Sequence, residues 1–501
     1  MLATIGPIDT TIIVIYFAVI VGMGLFISRK QDSTEEYFLG RRNMNWLIVG
    51  ISIQASLMST ISYLSVPGEQ IKNGLMCHAS FVGMFPAIFV INYLLLPYFL
   101  RMRITTIYEL LEHRFNLAVR MVGVAVFLLL RIIWMGLVVY TASFALTAIT
   151  GWELWAIIVG VAIVGTVYTW LGGMRAVIWT DVVQWFVLFG GCLFCIGYVM
   201  YAQSTGPADW WRAAQEVSYE HQPLFDWDPR VRITAMGLII QTFFAKICLH
   251  GSDQVAVQRY LSTPSASAAA KSFLSYVGCA LALTIVTAIL GLALTSYAEY
   301  GPDGAQWSGP SDADEVFPWF IAHSLPVGVR GLVVAGLLAA AMSSIDSGIN
   351  SLSAVVTVDF YERFFRKDDD DRPALWVAKL VTLLAGMLSV VMAFVMQLIQ
   401  GNLYEVMNKS TGGLPGTLGM IVLAAVLLPR CGPAAVLAGA AVSMICGWLI
   451  TYSPELFGPQ WGISFMWIIP GGCVSGLLVA GVLSVLFPTK PDDRWKPSES
   501  K

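Results

Sequence analysis

Ala339-Ala340-Ala341-Met342-Ser343-Ser344-Ile345-Asp346-Ser347-Gly348-Ile349-Asn350-Ser351 lies inside an apolar run over 329–360. Asp346 is sixteen residues beyond Arg330, which is about 24 Å of helix at 1.5 Å per residue. An ionisable group that deep in an apolar helix is expensive and marks a working site. Ala340, Ser343, Ser344 and Ser347 recur at i, i+3, i+4 and i+7, so they share one helix face. That face carries hydroxyl oxygens and little bulk. Small, polar faces also serve helix packing in membranes; the carboxylate three residues after Ser343 turns the reading toward a bound cation.

The rest of the chain agrees with a membrane setting. Its 501 residues include 29 Lys+Arg and 32 Asp+Glu, 12% charged, with 57% hydrophobic residues. An ordinary soluble domain carries roughly 25% charge. Mean hydropathy is +0.71. This composition excludes a soluble enzyme, a nucleic-acid binder and a disordered scaffold. The apolar runs are long and continuous, as in helical spans rather than barrel strands. They predict thirteen spans, near 9–28, 44–66, 79–100, 121–149, 153–171, 178–202, 232–250, 273–298, 329–360, 375–399, 407–429, 432–452 and 464–487.

No Lys or Arg precedes the first span and Arg29-Lys30 follow it, so it reads as a retained helix with its N-terminus outside. With that orientation, 21 basic residues fall on inner loops and 6 on outer loops, as positive-inside topology requires. Arg120 and Arg259 are among the inner set. The C-terminus is then cytoplasmic. The outer loop near 299–328 is acidic, with Asp303, Asp312, Asp314 and Glu315. The Asp368–Asp371 run reads as a solvated loop, and the tail after Phe487 is too short for a signalling module. Four ionisable residues read as lying at depth within spans: Arg131, Asp181, Lys246 and Asp346.

The second span is polar at depth: Ser52-Ile53-Gln54-Ala55-Ser56-Leu57-Met58-Ser59-Thr60-Ile61-Ser62-Tyr63, then Pro67-Gly68. Such stretches let a helix unwind, and the freed carbonyls coordinate a cation. A hard cation such as Na⁺ suits neutral oxygens with a carboxylate nearby.

Four motifs, in order, then resemble the sodium:solute symporter family over nearly the whole chain. They are Trp170-Leu171-Gly172-Gly173-Met174-Arg175-Ala176-Val177-Ile178-Trp179-Thr180-Asp181, the inner-loop motif Gln254-Val255-Ala256-Val257-Gln258-Arg259-Tyr260-Leu261, the Ala-x-x-Ser-Ser segment at 340–344, and Ala55–Ser59. Ser52–Ser59, Val66-Pro67-Gly68-Glu69 and Ile107-Tyr108-Glu109-Leu110 look closest to the branch that carries monocarboxylates, vitamins and iodide.

The resemblance implies an all-α polytopic membrane protein with a leucine-transporter-type five-plus-five inverted repeat. Residues 44–202 would form one five-helix repeat and 232–429 its inverted copy. Residues 1–43 and 430–501 would be peripheral. The first helix of each repeat would be broken at the midplane. It also implies a main sodium site from the carbonyls of Ala55, Met58 and Ala340 and the hydroxyls of Ser343 and Ser344. A second cation site maps to Asp181, Ser343, Asp346 and Ser347. Asp346 departs from the family there, where a hydroxyl residue is common. Two carboxylates would face one cavity and hold Na⁺ between them or couple a proton.

Ser59, Ser62, Lys246 and Arg131 are the candidate solute residues. Lys246 stands where the family is known to place Asn, and it brings a positive charge to the pocket. Leu57, Ser59 and Ser62 offer few hydrogen bonds to a polyhydroxylated sugar, and Leu249 stands where sugar carriers place an aromatic gate. The expected activity is therefore sodium-coupled symport of a small organic anion such as a monocarboxylate, by a monomer in the cell membrane. Sugar, sialic acid and amino acid are the alternative solutes. Na⁺ is the coupling ion and no other cofactor is expected. The chain carries no H-E-x-x-H, G-x-S-x-G or paired-His spacing and its five histidines are scattered, which argues against an enzyme. A channel and a transport-fold sensor are the other rivals. Cys192 and Cys195 form a C-x-x-C inside a span, where packing is the expected role.

Overall fold

The computed structural model describes residues 5–27, 33–217, 219, 222–300, 309–310, 312–366, 371–398, 406 and 409–489. Asp303, most of the Asp368–Asp371 run and the tail from 490 lie outside the described residues. In chain order the helices are α1 (Pro7–Ile27), α2 (Thr34–Leu39), α3 (Trp46–Leu57), α4 (Thr60–Asn73), α5 (Met84–Val90), α6 (Leu96–Leu100), α7 (Ile107–Arg114), α8 (Leu117–Thr150), α9 (Leu154–Gln203), α10 (Pro207–Glu216), α11 (Ala235–Ser252), α12 (Gln254–Leu261), α13 (Ala266–Tyr300), α14 (Ala313–His323), α15 (Val329–Val355), α16 (Arg372–Met396), α17 (Leu414–Leu427), α18 (Pro433–Thr451), α19 (Ser453–Phe457) and α20 (Ile468–Leu486). No strand occurs among the described residues. Each predicted span coincides with helix over most of its described length. Among the described residues, ten helical stretches are long and apolar enough to cross a membrane, and α3 and α17 are shorter apolar helices.

The outer surface is apolar as well as the interior. Phe26 is 73% exposed and Val485 79%, with Phe89, Trp376 and Leu478 similarly uncovered. Water would not tolerate so continuous an apolar exterior, whereas lipid does. On α1, Ile13, Tyr16, Ile20 and Gly24 form the buried stripe, and it packs on α9 and α15. α1 is tied on by chemistry too. Asp9 Oδ1 accepts the backbone N–H groups of Gly328 (2.7 Å) and Gly331 (2.9 Å) at the start of α15, orphan donors that a carboxylate satisfies well.

α15 is the central post. From Val333 to Val355 every residue is buried, and the helix packs on α9, α8, α1, α16 and α3. With protein on all sides, its polar groups must find protein partners. Ser353, for example, donates to the Ala378 carbonyl at 2.7 Å.

α9 is 50 residues long, roughly 75 Å if straight and far beyond one bilayer crossing. Gly173 interrupts it at φ 55°, ψ −162°, a conformation essentially reserved for glycine. The interruption falls between the two predicted spans at 153–171 and 178–202. Gly173→Ala is expected to cost about 1–3 kcal/mol, read as a lower melting temperature of the purified protein in detergent. An unchanged melting temperature would show that the turn tolerates a side chain.

Two residues assigned to inner loops lie inside the protein instead. Arg120 is buried and pairs with Asp359 and Glu112, each at 2.7 Å. The motif Gln254–Leu261 is α12, and all eight of its residues are buried. Asp253 explains the change of direction at its start. It ends α11, and its side chain accepts the Val255 N–H at 3.0 Å to begin α12.

Candidate functional site

The second predicted span is broken, as its composition suggests. α3 ends at Leu57, Met58 takes φ −95°, ψ 98°, Ser59 takes φ −86°, ψ 165°, and α4 begins at Thr60. Serines and threonines here compete with the helical ladder for backbone groups. A helix end leaves its last carbonyls without intrahelical donors. Two of these are met by α15: Ser343 Oγ donates to the Ala55 carbonyl at 2.9 Å and Ser344 Oγ to the Ser56 carbonyl at 3.1 Å. Ser343 Oγ is also 3.2 Å from the Ala340 carbonyl. Thr60 Oγ1 reaches the Leu337 carbonyl at 3.3 Å, on the other side of the break.

Four of the five residues expected at the main sodium site therefore contribute oxygens to one seam between α3 and α15, and Met58 is the first non-helical residue beside it. The seam offers neutral oxygens at the carbonyl end of α3. The partial negative charge of a helix C-terminus favours a cation there.

Deeper along the same seam is a second polar cluster. Asp181 Oδ2 accepts from Ser52 Oγ (2.5 Å), Ser56 Oγ (3.0 Å) and the Arg259 guanidinium (2.8 Å). Ser347 Oγ is 2.9 Å from Ser56 Oγ and 3.0 Å from Asp346 Oδ1. Asp346 Oδ2 accepts from the Tyr168 hydroxyl at 2.5 Å. The residues expected at a second cation site are thus neighbours. Arg259, absent from that expectation, stands among them. Its signal in the sequence was indirect: a carboxylate at depth, Asp181, calls for a cation at depth.

Two cavities of about 280 and 290 Å³ meet beside α11. Leu57, Ser62, Ala245 and Lys246 line both. The first continues past Trp134, Leu249 and Thr411, the second past His78, Gln241 and Thr284. Lys246 Nζ lies 5.6 Å from the Tyr276 ring centroid; among the described residues it pairs with no carboxylate.

Arg131 also lines the first cavity, but its guanidinium is committed to Asp253, the residue at the α11–α12 bend. Ser59 lines neither cavity. Its hydroxyl is buried at the helix break without a hydrogen-bond partner among the described residues. Of the four candidate solute residues, the structure gathers Ser62, Lys246 and Arg131 and leaves Ser59 apart.

The chain is also similar to known proteins. It is 26% identical over 485 residues to the sodium/sialic acid symporter SiaT of Proteus mirabilis (strain HI4320), covering 95% of this chain and 96% of that protein. It is 30% identical over 434 residues to the human (Homo sapiens) sodium-coupled monocarboxylate transporter 1, covering 85% and 69%. A solved structure of a Na⁺-coupled sialic acid symporter, substrate-bound and outward-open, superposes with a TM-score of 0.83 at 25% identity, covering 97% of this chain and 99% of that one. The leucine-transporter-type helical fold follows from that superposition. The profile of the sodium:solute symporter family matches residues 37–447. With a broken second span, a central serine-bearing helix and a match of that extent, this chain belongs to the sodium:solute symporter family and is a multi-pass, sodium-coupled solute transporter.

Proposed function

We propose that the transported solute is a small organic anion, such as a monocarboxylate, moved inward with Na⁺ by alternating access. The observation that carries this is Lys246: an ammonium group at the wall shared by two cavities, paired with no carboxylate among the described residues. An anionic solute supplies the missing charge, and a charge-assisted hydrogen bond in a partly dry site is about twice as strong as a neutral one. The relatives named above agree in kind, since sialic acid and monocarboxylates are both acids.

In this reading Na⁺ binds at Ala55, Met58, Ala340, Ser343 and Ser344 and closes the joint between the broken helix and α15. That joint forms one wall of the solute cavities through Leu57 and Ser62. Sodium therefore raises solute affinity, and solute raises sodium affinity by the same factor. Rocking of one helix bundle against the other then opens the inside. In this reading the N-terminus lies outside, as the bias of basic residues suggests, and the cycle runs within a single chain. Each Na⁺ moved inward gains about 2.3 kcal/mol per 100 mV before its concentration gradient is counted.

The test is Na⁺-dependent counterflow into vesicles with a panel of acids and neutral sugars as competitors. Pyruvate-like acids should compete and glucose or galactose should not; the reverse pattern sinks the proposal. Saturable exchange in the same assay separates a carrier from a channel.

A further inference from the structure

We propose that the lipid-facing groove between α1 and α9 is a binding site for an anionic phospholipid, with Arg175 on its phosphate and an acyl chain along α1. The site is separate from the sodium seam and the solute cavities, and it does not depend on which solute is carried.

The groove follows from the way the two helices cross. A Cβ on Gly24 would lie 3.0 Å from Tyr168 Cβ, and one on Gly172 would lie 3.4 Å from the Gly24 carbonyl oxygen. Residues without bulk let the backbones meet so closely. Gly173 then redirects α9, and a groove of about 570 Å³ opens beside the crossing. Val19, Gly22, Met23 and Phe26 of α1 line it, with Arg175 and Trp179 of α9. The four α1 residues recur at i, i+3, i+4 and i+7, so they form one stripe. Gly22 leaves its floor open. Apart from its own helix backbone, no atom of the described residues lies within 4 Å of where a Cβ would stand. Val19 and Phe26 are exposed on the apolar exterior that faces lipid.

The polar end of the groove lacks a counter-charge. Arg175 and Trp179, four residues apart on one face of α9, are both exposed. Arg175 makes no ion pair or hydrogen bond with any described residue. The end of α2 lies beside it, since a Cβ on Gly40 would be 3.9 Å from Arg175 Cβ. The acids of α2 are already paired, Glu36 with Arg41 at 2.8 Å and Glu35 with Arg42 at 2.9 Å. An anionic phospholipid answers both halves of the groove. Its chain covers the α1 stripe, and its phosphate accepts from the guanidinium fork. The Trp179 indole sits at headgroup level, where tryptophan is favoured. A soluble anion would leave the stripe uncovered, and a zwitterionic lipid would bring its own cation beside Arg175. In the orientation proposed above, the groove opens to the cytoplasmic leaflet, where anionic lipids collect and basic pockets between spanning helices hold their headgroups. Asp9 secures one end of α1 on α15; the lipid secures the other end on α9.

The experiment uses phosphatidylglycerol and phosphatidylcholine with identical chains as probes, added to the purified full chain stripped of lipid in a neutral detergent. Native mass spectrometry counts the lipid retained, and gel filtration checks the fold. Wild type should retain phosphatidylglycerol about fivefold better than phosphatidylcholine, the effect of one basic residue near an anionic surface. Arg175→Gln should bring that ratio to about one, and Arg175→Lys should keep most of it. Gly22→Leu fills the groove and should lower retention of both lipids. Lys271→Gln removes the same charge from an exposed position on α13 and should leave the ratio in place. Phosphatidylglycerol should also raise the melting temperature of wild type more than that of Arg175→Gln.

No preference in wild type, or a preference that survives Arg175→Gln, overturns the proposal. An equal loss in Lys271→Gln overturns it too, because net charge alone would then select the lipid. Displacement of phosphatidylglycerol by soluble glycerol phosphate would make the site one for a free anion and likewise overturns it. Undiminished retention by a folded Gly22→Leu removes the groove from the assignment and with it the proposal. Should Gly22→Leu not fold, the Arg175→Gln and Arg175→Lys pair decides.

Discussion

Ser343→Ala is expected to raise the half-saturating Na⁺ concentration for transport by about 10- to 100-fold. The hydroxyl stands between the Ala55 and Ala340 carbonyls, and in the proposed site it is the atom shared by both walls. A hydrogen-bonding group facing a charge contributes about 1.5–3 kcal/mol, and each 1.4 kcal/mol is a tenfold change in affinity. Ser344→Ala should act in the same direction. The Ser343→Ala/Ser344→Ala pair should leave little sodium dependence at all. Alanine is a better helix former than serine, so α15 itself should survive. Ser353→Ala is the control. It removes a buried hydrogen bond on the same helix, to Ala378, and should lower the melting temperature slightly while leaving the sodium titration in place. Equal sodium curves for wild type and Ser343→Ala would remove the assignment.

The second large effect is at the solute. Lys246→Ala should weaken binding of an anionic solute by about 10- to 100-fold, on the same energetic scale for a charged partner. Its effect on Na⁺ affinity measured without solute should be small, because no sodium-site oxygen depends on it. Lys246→Arg keeps the charge but exchanges a compact ammonium for a planar fork, so it should recover part of the affinity. Arg131→Ala should behave differently. It leaves Asp253 buried and unpaired at the α11–α12 bend, and breaking a buried pair costs about 3–5 kcal/mol of stability. A matched fall in sodium and solute affinity in Lys246→Ala would point to a structural role and against the anion reading.

Much of the fold was legible because bilayer depth is a severe constraint on sequence. Asp346 and its serines stand out only against apolar neighbours, and the polar run from Ser52 to Ser62 betrays its break for the same reason. What stayed hidden was the pairing of distant charges. Arg259 and Asp181 are separated by 78 residues and Arg131 and Asp253 by 122. No local pattern joins them. The α12 motif, read as part of a loop, is a buried helix, because hydropathy cannot tell a helix buried in protein from a solvated loop when both carry Gln and Arg. The counter-charge is the signal that was available, since a buried carboxylate needs a partner and a loop arginine does not.

The hydroxyls of Ser343 and Ser344 have one more implication. They act as donors to the carbonyls of Ala55 and Ser56. To ligate Na⁺, the same hydroxyls must turn their hydrogens away and present lone pairs. Each binding event is thus an exchange, in which two internal hydrogen bonds are given up as ion–oxygen contacts form. That exchange caps how tightly the ion can be held. In the proposed site the same two hydrogen bonds satisfy the carbonyls whenever no ion does. A carrier that must release its ion on the far side thousands of times needs that parity, and a tighter, more rigid cage would turn over more slowly.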